Sequence, residues 1–591
     1  MKRVLIMLFV VVMASFALNR DLAKVQTVFF DENEISANSS ITNQRPSVNT
    51  ALSPLPIIGR TEVIGTSTYD WQYNGPVYTH CIVDPVANGV HCGWMYANTQ
   101  PSAGAPERNQ YYNFYDFTTR TWAFGNTGTP VYTARSGFGG MSADPVTGNV
   151  VISTHQSIGG VLTPVFARDQ VPGGGLFEYS QGPTGYQWPP IGVTYNQSVH
   201  SAVISVSSAA TGSSDSVYYT RSNTATWPTT WTTPFYIQPP APSAGFCNQN
   251  IAASRTSNKV IVLWEQSEDD YPERAFYRLS TDGGATWGAT TQLPFPPSVG
   301  GVNPSFHITS LFAMFDAQDN LHIVASVMHY EGTSGYTIPA QIWHYCPANT
   351  PAWSLIHHYE ADTLNAPVGY NALFATRPSI AQDPTTGNFY VAWEQFDSLN
   401  YEPITTLARA DIYVAELTNN GQTVTRKGRI TDPNTTSKRF PCVGGVKNDT
   451  VFVQYIVDSI AGFELYTQGT WTHNPIVVHR FHKNSLPLVG IEENNSNKYY
   501  HFTLKPALPN PMHSQTTIHY SLPTKSNVDL TIYDILGRPI KTLVSGIKSA
   551  GEYSITWDGT DNAGKKVQSG IYFYTLKTQD KSQTHKLIIT N

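Results

Sequence analysis

The sequence predicts an all-β chain: a β-propeller of seven blades, or alternatively six, followed by an Ig-like β-sandwich. Three observations predict it. Charged residues are sparse at 13%, while 44 Gly, 40 Pro and 12% aromatics favour strands and turns over helices. One hairpin signature recurs through residues 55–490, and strict alternation of apolar and polar residues marks the stretch after it.

The elements follow in order. Lys2-Arg3, the apolar run Val4 to Met13 and the small residues Ser15 and Ala17 make residues 1–17 a signal peptide. That run is too short to span a bilayer, and no later segment is long and apolar enough, so no transmembrane segment is expected. Residues 18–54 are polar, rich in Asn and Ser and without periodicity, which reads as a linker or loosely attached arm. A second such stretch, 491–501, contains Glu492-Glu493-Asn494-Asn495 and separates 55–490 from the sandwich at 502–591.

The repeat is clearest in Val83-Asp84-Pro85-Val86-Ala87-Asn88-Gly89-Val90, Ala143-Asp144-Pro145-Val146-Thr147-Gly148-Asn149-Val150 and Gln382-Asp383-Pro384-Thr385-Thr386-Gly387-Asn388-Phe389. Weaker copies run from Val193 to Ser198, Ala253 to Val260, Phe315 to Leu321 and Gly445 to Val451. Each reads as strand, turn, strand, and the turns recur every 50 to 70 residues or so, which suits a four-stranded blade with some long loops.

A second marker follows the hairpins. Ser280-Thr281-Asp282-Gly283-Gly284-Ala285-Thr286-Trp287 satisfies S-x-D-x-G-x-T-W, with eroded versions at Tyr115 to Trp122 and Thr220 to Trp227 and comparable stretches closed by Trp188, Trp353, Val424 and Trp471. This motif resembles the Asp-box of sialidase-like propellers. Its Asp bonds amides of its own turn and its Trp packs between sheets, so Ser280, Asp282, Gly284 and Trp287 are expected to be structural.

Ligand-face candidates are the residues that end the blade strands after each hairpin: Glu265 and Gln266 in Trp264-Glu265-Gln266, Glu394 and Gln395 in Trp393-Glu394-Gln395, with His155 and His329 at corresponding places. Carboxylates, amides and imidazoles on one face would bind a polar ligand such as a glycan or peptide. The competing reading makes Trp-Glu-Gln part of blade construction, with Trp buried and Glu bonding loop backbone.

A sialidase-like enzyme needs arginines for the substrate carboxylate, an acid/base Asp and a Tyr activated by a Glu. Arg60, Arg135, Arg255, Arg377 and Arg439 are available, but the Arg-Ile-Pro signature is missing, with Arg377-Pro378-Ser379 a remote echo, and only one Asp-box is intact. His-Glu-x-x-His, Gly-x-Ser-x-Gly, a phosphate loop and Cys-x-x-Cys are all absent from the sequence. No cofactor and no metal are expected, the adjacent pair His357-His358 being a poor chelate because strand neighbours point to opposite faces. With net charge −6 and no basic stripe, nucleic acid is not an expected partner. The preferred function is a non-catalytic binding module; the alternative is an exo-glycosidase with diverged motifs.

Cys81 and Cys92 flank the first Asp-Pro turn symmetrically, so pairing Val83 with Val90 sets them opposite each other, and a disulfide is the expectation in an exported protein.

In the last stretch, alternation at Ile518, Tyr520, Leu522, at Val528, Leu530, Ile532 and at Tyr553, Ile555, Trp557 marks strands with one buried face, and turn residues such as Asp558-Gly559 separate them. Leu508-Pro509-Asn510-Pro511, Val528 to Arg538, Ala550 to Gly559, Ser569 to Tyr574 and Lys586 to Ile589 together resemble the C-terminal sorting domain of type IX secretion cargo, and the second half is similar to the Ig-like domain of flagellar hook-cap proteins. That resemblance implies the type IX machinery as a partner, with Arg538 and Lys586 in its recognition, and a secreted or cell-surface location.

Overall fold

The computed structural model describes residues 20–26, 58–73, 78–101, 104–205, 216–238, 244–268, 271–307, 311–361, 364–489, 502–522, 526–548, 551–579 and 581–590. The expected signal peptide at 1–17 and linker at 491–501 lie outside them. The chain divides into two compact units, Met1–Val489 and Gly490–Asn591. Among the described residues no helix is long and apolar enough to cross a membrane.

Among the described residues the first unit holds seven antiparallel sheets of four or five strands. From the inside outward the first is built from Cys81–Asp84, Gly89–Tyr96, Asn109–Asp116 and Thr121–Trp122, and the next five are similar meanders. The seventh combines Ser437–Lys447, Thr450–Asp458 and Asn474–His482 with an outer strand from far upstream, Arg60–Ser67. The inner strands adjoin one another in sequence order, and that of the seventh sheet adjoins that of the first. This cyclic order of meanders is that of a β-propeller, closed by the N-terminal strand.

The closing strand is locked by particular side chains. Glu62 accepts from Trp122 Nε1 at 2.9 Å and pairs with Arg480, whose guanidinium lies over Tyr115 at 4.6 Å. Gly65 sits at a bulge where a Cβ would meet Trp94 at 2.1 Å, so the strand can lie on that ring only with glycine here.

All seven hairpin turns join the inner to the second strand of a sheet. Their Asp residues have a local role: Oδ1 of Asp84, Asp144, Asp316 and Asp383 accepts from the amide two residues on, at 2.8 to 2.9 Å. A buried second-strand histidine stands behind some of them. His91 Nδ1 lies 2.7 Å from Tyr112 Oη, His200 Nδ1 lies 2.6 Å from Tyr219 Oη, and His322 sits between Asp316 and His344 at 3.1 and 2.9 Å. Burial pushes His91 and His200 down to about 3, so both are neutral, hydrogen-bonded core residues.

Four points differ from the sequence expectations. The Cys81–Cys92 register is as the turn dictates, but the sulfurs lie 4.0 Å apart and both thiols are free. Trp188 follows the fourth strand of its sheet and Trp471 precedes the third strand of its own, so neither occupies the Asp-box position. Within 18–54, residues 22–26 are not a loose arm: Ala23 is fully buried and Val25 N donates to Gly335 O at 3.1 Å. The fourth concerns the ligand-face residues and is described below.

The second unit packs a three-stranded sheet (Thr503–Leu504, Thr516–Leu522, Gly551–Trp557) on a four-stranded one (Pro539–Lys548, Ser526–Asp534, Gly570–Lys577, Ser582–Ile589). Ile518, Tyr520, Leu522, Val528, Leu530, Ile532, Trp557, Tyr574 and Leu587 form its core, the inward positions of the period-2 pattern. Arg538 closes the Asp534 turn through a 2.7 Å ion pair and is otherwise exposed.

Candidate functional site

The Asp-box is a turn clip. Asp282 accepts from Thr286 N at 2.8 Å and Thr286 Oγ1 at 2.6 Å, which with the Ser280 hydroxyl holds its carboxyl down at about 2. Gly284 N donates to Ser280 Oγ at 2.8 Å, and Trp287 meets Tyr219 of the neighbouring sheet edge-on, 4.7 Å between centroids. The turn joins the third and fourth strands, at the end of the propeller opposite to that where the second strands finish.

The six ligand-face candidates all lie in second strands, and four of them are buried where an open face was expected. Glu265, Gln266, Glu394 and His155 are each at most 5% exposed. Consecutive strand residues point to opposite faces, and in a propeller both faces of an inner blade are covered by neighbours. Trp393 accordingly packs against His357 of the fifth sheet, the rings tilted by 30° at 5.2 Å, and Gln395 accepts from Trp393 Nε1 at 3.4 Å, while Glu394 turns to the seventh. His155 Nδ1 accepts from Trp188 N at 3.3 Å, and His329 Nδ1 accepts from Asn303 N at 2.9 Å with its Nε2 3.1 Å from Glu331.

Glu394 anchors a buried centre that sequence reasoning reached only in pieces. Its Oε2 accepts from Arg439 Nε at 3.1 Å and from Phe440 N at 2.9 Å, and its Oε1 takes the Arg377 guanidinium and Arg439 Nη2. Arg377 lies over the Phe440 ring at 4.8 Å, and Arg439 over Phe396 and Phe463 at 4.9 and 4.8 Å. Burial alone would raise the Glu394 carboxyl, but the Arg439 and Arg377 charges hold it below its ordinary value.

Local sequence places these groups. Arg377-Pro378 and Phe440-Pro441 interrupt the ladder in the inner strands of the sixth and seventh sheets, because proline has no N–H to donate. Arg377 and Phe440 take φ of 53° and 56°, a left-handed conformation costing non-glycine residues about 1–2 kcal/mol. The resulting bulges re-aim side chains toward the axial end.

Over this centre runs the connection from the closing strand to the first sheet. Asp70, Trp71, Gln72 and Tyr73 are all buried there. Trp71 packs on Phe463 at 4.3 Å, and Tyr73 stacks on His80 at 5.2 Å and meets Phe440 at 4.7 Å. Asp70 Oδ2 accepts from Glu464 N at 3.0 Å; burial, reinforced by the Glu464 charge, pushes its carboxyl up to about 7. Asp70 Oδ1, Trp71 Nε1, Tyr73 Oη, Tyr78 Oη and His80 Nε2 are buried without a protein hydrogen-bond partner. So many unmatched polar atoms on one segment mark a polar axial end suited to water or a polar ligand. Among the described residues no three His, Cys, Asp or Glu side chains are grouped to hold a metal.

Comparison with known proteins adds to this geometry. Residues 512–582 match the FlgD Ig-like domain family. The two-sheet sandwich of the second unit thus carries an FlgD Ig-like domain by sequence pattern. No curated protein matches the chain by sequence. Among solved structures, a PL25 ulvan lyase is 10% identical, covering 71% of this chain and 96% of that one, with a TM-score of 0.43. A Hadza microbial sialidase is 13% identical over 64% and 74%, TM-score 0.34, and the NanB sialidase of Streptococcus pneumoniae 10% over 72% and 71%, TM-score 0.36.

Proposed function

We propose that the chain is an exported seven-bladed propeller that binds a polar ligand, glycan or peptide, without transforming it. Residues 502–591, on this reading, are a type IX sorting domain that takes it to the cell surface or beyond. The observation that carries the binding reading is the engagement of Arg377 and Arg439 by Glu394 beneath aromatic rings. A sialidase-like site would offer those guanidiniums to a substrate carboxylate; here a carboxylate of the protein already holds them. The unmatched polar atoms of Asp70 to His80 support a neutral, hydrogen-bonding ligand at the same end.

The exo-glycosidase reading is kept alive by one observation, the Asp70 carboxyl pushed up to about 7, the range of a general acid. Glycan and peptide arrays probed with the mature chain test the binding reading: a saturable ligand is expected, and no binding on either array counts against it. The export reading is tested by deleting residues 502–591 in a host with type IX secretion. Retention in the periplasm is expected; unchanged export would refute it.

A further inference from the structure

The third strand of the fifth sheet, Ser334–Tyr345, outruns its outer neighbour. Its inner side is paired as far as Ser334, whereas pairing with Trp353–Tyr359 stops at Ala340. An edge from Ser334 to Tyr336 is therefore left with backbone groups to satisfy, the next three residues bulging out of the ladder, where Phe374 N donates to Thr337 O at 3.2 Å. The structure fills part of it with the N-terminal segment. Lys24 bridges Tyr336 in antiparallel sense, Val25 N donates to Gly335 O at 3.1 Å, and Thr337 Oγ1 donates to Ala23 O at 3.1 Å. On the facing side Asn371 N donates to Gln26 O at 2.8 Å.

The side-chain complement is that of a recognition groove. Ala23 is fully buried in one apolar cluster with Met328, Tyr336 and Phe374, while Leu22 and Val25 are half-buried against it. Gly335 keeps the edge open, since a Cβ there would meet Met328 Sδ at 2.7 Å and Val25 Cγ2 at 3.5 Å. In sequence this segment lies well before the first propeller strand, Arg60–Ser67, and far from the sheet it bridges. A tether makes docking intramolecular and favours occupancy without strong contacts.

We infer that this groove, across the ends of the fifth and sixth sheets, is a binding site for a short peptide, of which the chain's own Leu22–Gln26, the end of the helical turn Arg20–Ala23 and the residues that follow it, is the resident occupant. The antiparallel bridge of Lys24 to Tyr336, with the bonds to Gly335 O and from Thr337 Oγ1, supplies the polar part of the affinity. The closed space around Ala23 demands a small side chain there, with apolar residues on either side at the Leu22 and Val25 positions. The groove communicates with the arginine centre: Asn371, which holds Gln26 O through its N–H, gives its own carbonyl to Arg377 Nη2. The inference stands on these contacts and not on the proposed ligand of the axial end.

The experiment compares the chain beginning at residue 18 with one beginning at residue 28, titrated with a fluorescent peptide of residues 18–28 and read by anisotropy. The shortened chain is expected to bind it saturably and the longer chain at least ten-fold more weakly. Thr337→Val in the shortened chain is expected to weaken binding about three- to ten-fold through one lost hydrogen bond. No saturable binding by a shortened chain that melts cooperatively, or equal binding by both, overturns the inference. Should the shortened chain not fold, Ala23→Gln in the longer chain provides the test. Faster tryptic cleavage after Lys24 together with capture of the labelled peptide is expected, and wild-type behaviour in both respects overturns it.

Discussion

Glu394 and Arg439 meet across two neighbouring sheets, Oε2 to Nε at 3.1 Å, with both side chains buried. The pair joins the middle of one second strand, Phe389–Tyr401, to the start of the next inner strand, and Arg377 makes it a triad. Removing one partner of a buried ion pair leaves charge that neither water nor protein compensates. Glu394→Gln, which would strand two guanidiniums, is expected to lower unfolding free energy by about 3–5 kcal/mol in denaturant titrations.

Asp70 titrates in a direction that stability measurements can read. In the folded chain its carboxyl keeps its proton up to about pH 7, whereas an unfolded Asp loses it near pH 4 or so. Between those values the unfolded state binds fewer protons. Its contribution therefore makes unfolding free energy fall as pH rises, by up to about 1.4 kcal/mol per pH unit. Asp70→Asn is expected to flatten that slope in unfolding curves taken across the window.

The Asp-box should matter for stability and not for ligand. Trp287→Ala loses the Tyr219 contact and is expected to cost about 2 kcal/mol, while array binding by the folded variant stays unchanged. A binding loss without destabilisation would move the ligand site to that end.

Cys81 and Cys92 are opposed but unbonded, and burial with their mutual hydrogen bond raises the Cys81 thiol well above its ordinary value. The native chain is expected to resist iodoacetamide at both positions, and the chain unfolded without reductant to take one label on each, read by peptide mass.

Much of the fold was legible because turn chemistry is local. In four of the seven inner hairpins an Asp bonds the amide two residues on, so the signature survives in sequence there, and the spacing of the weaker copies carried the other three. Ring closure was not legible: Arg60–Ser67 completes a sheet whose other strands begin at Ser437, and no local signal records a partner that distant. Glu394 was singled out as a ligand-face residue, but its guanidinium partners come from neighbouring inner strands that bulge at Arg377 and Phe440. The Pro378 and Pro441 that follow them were the available clue. Docking of Ala23 left no trace in composition, because one buried alanine in a polar stretch breaks no pattern.

The central claim is binding without turnover. The most direct measurement incubates the mature chain with the polymer it captures on an array and assays for reducing sugar, unsaturated sugar or free sialic acid. Retained binding with no product at any time point is expected. Product that disappears in Asp70→Asn or Tyr73→Phe, with folding intact, would contradict it and make the axial end an active site.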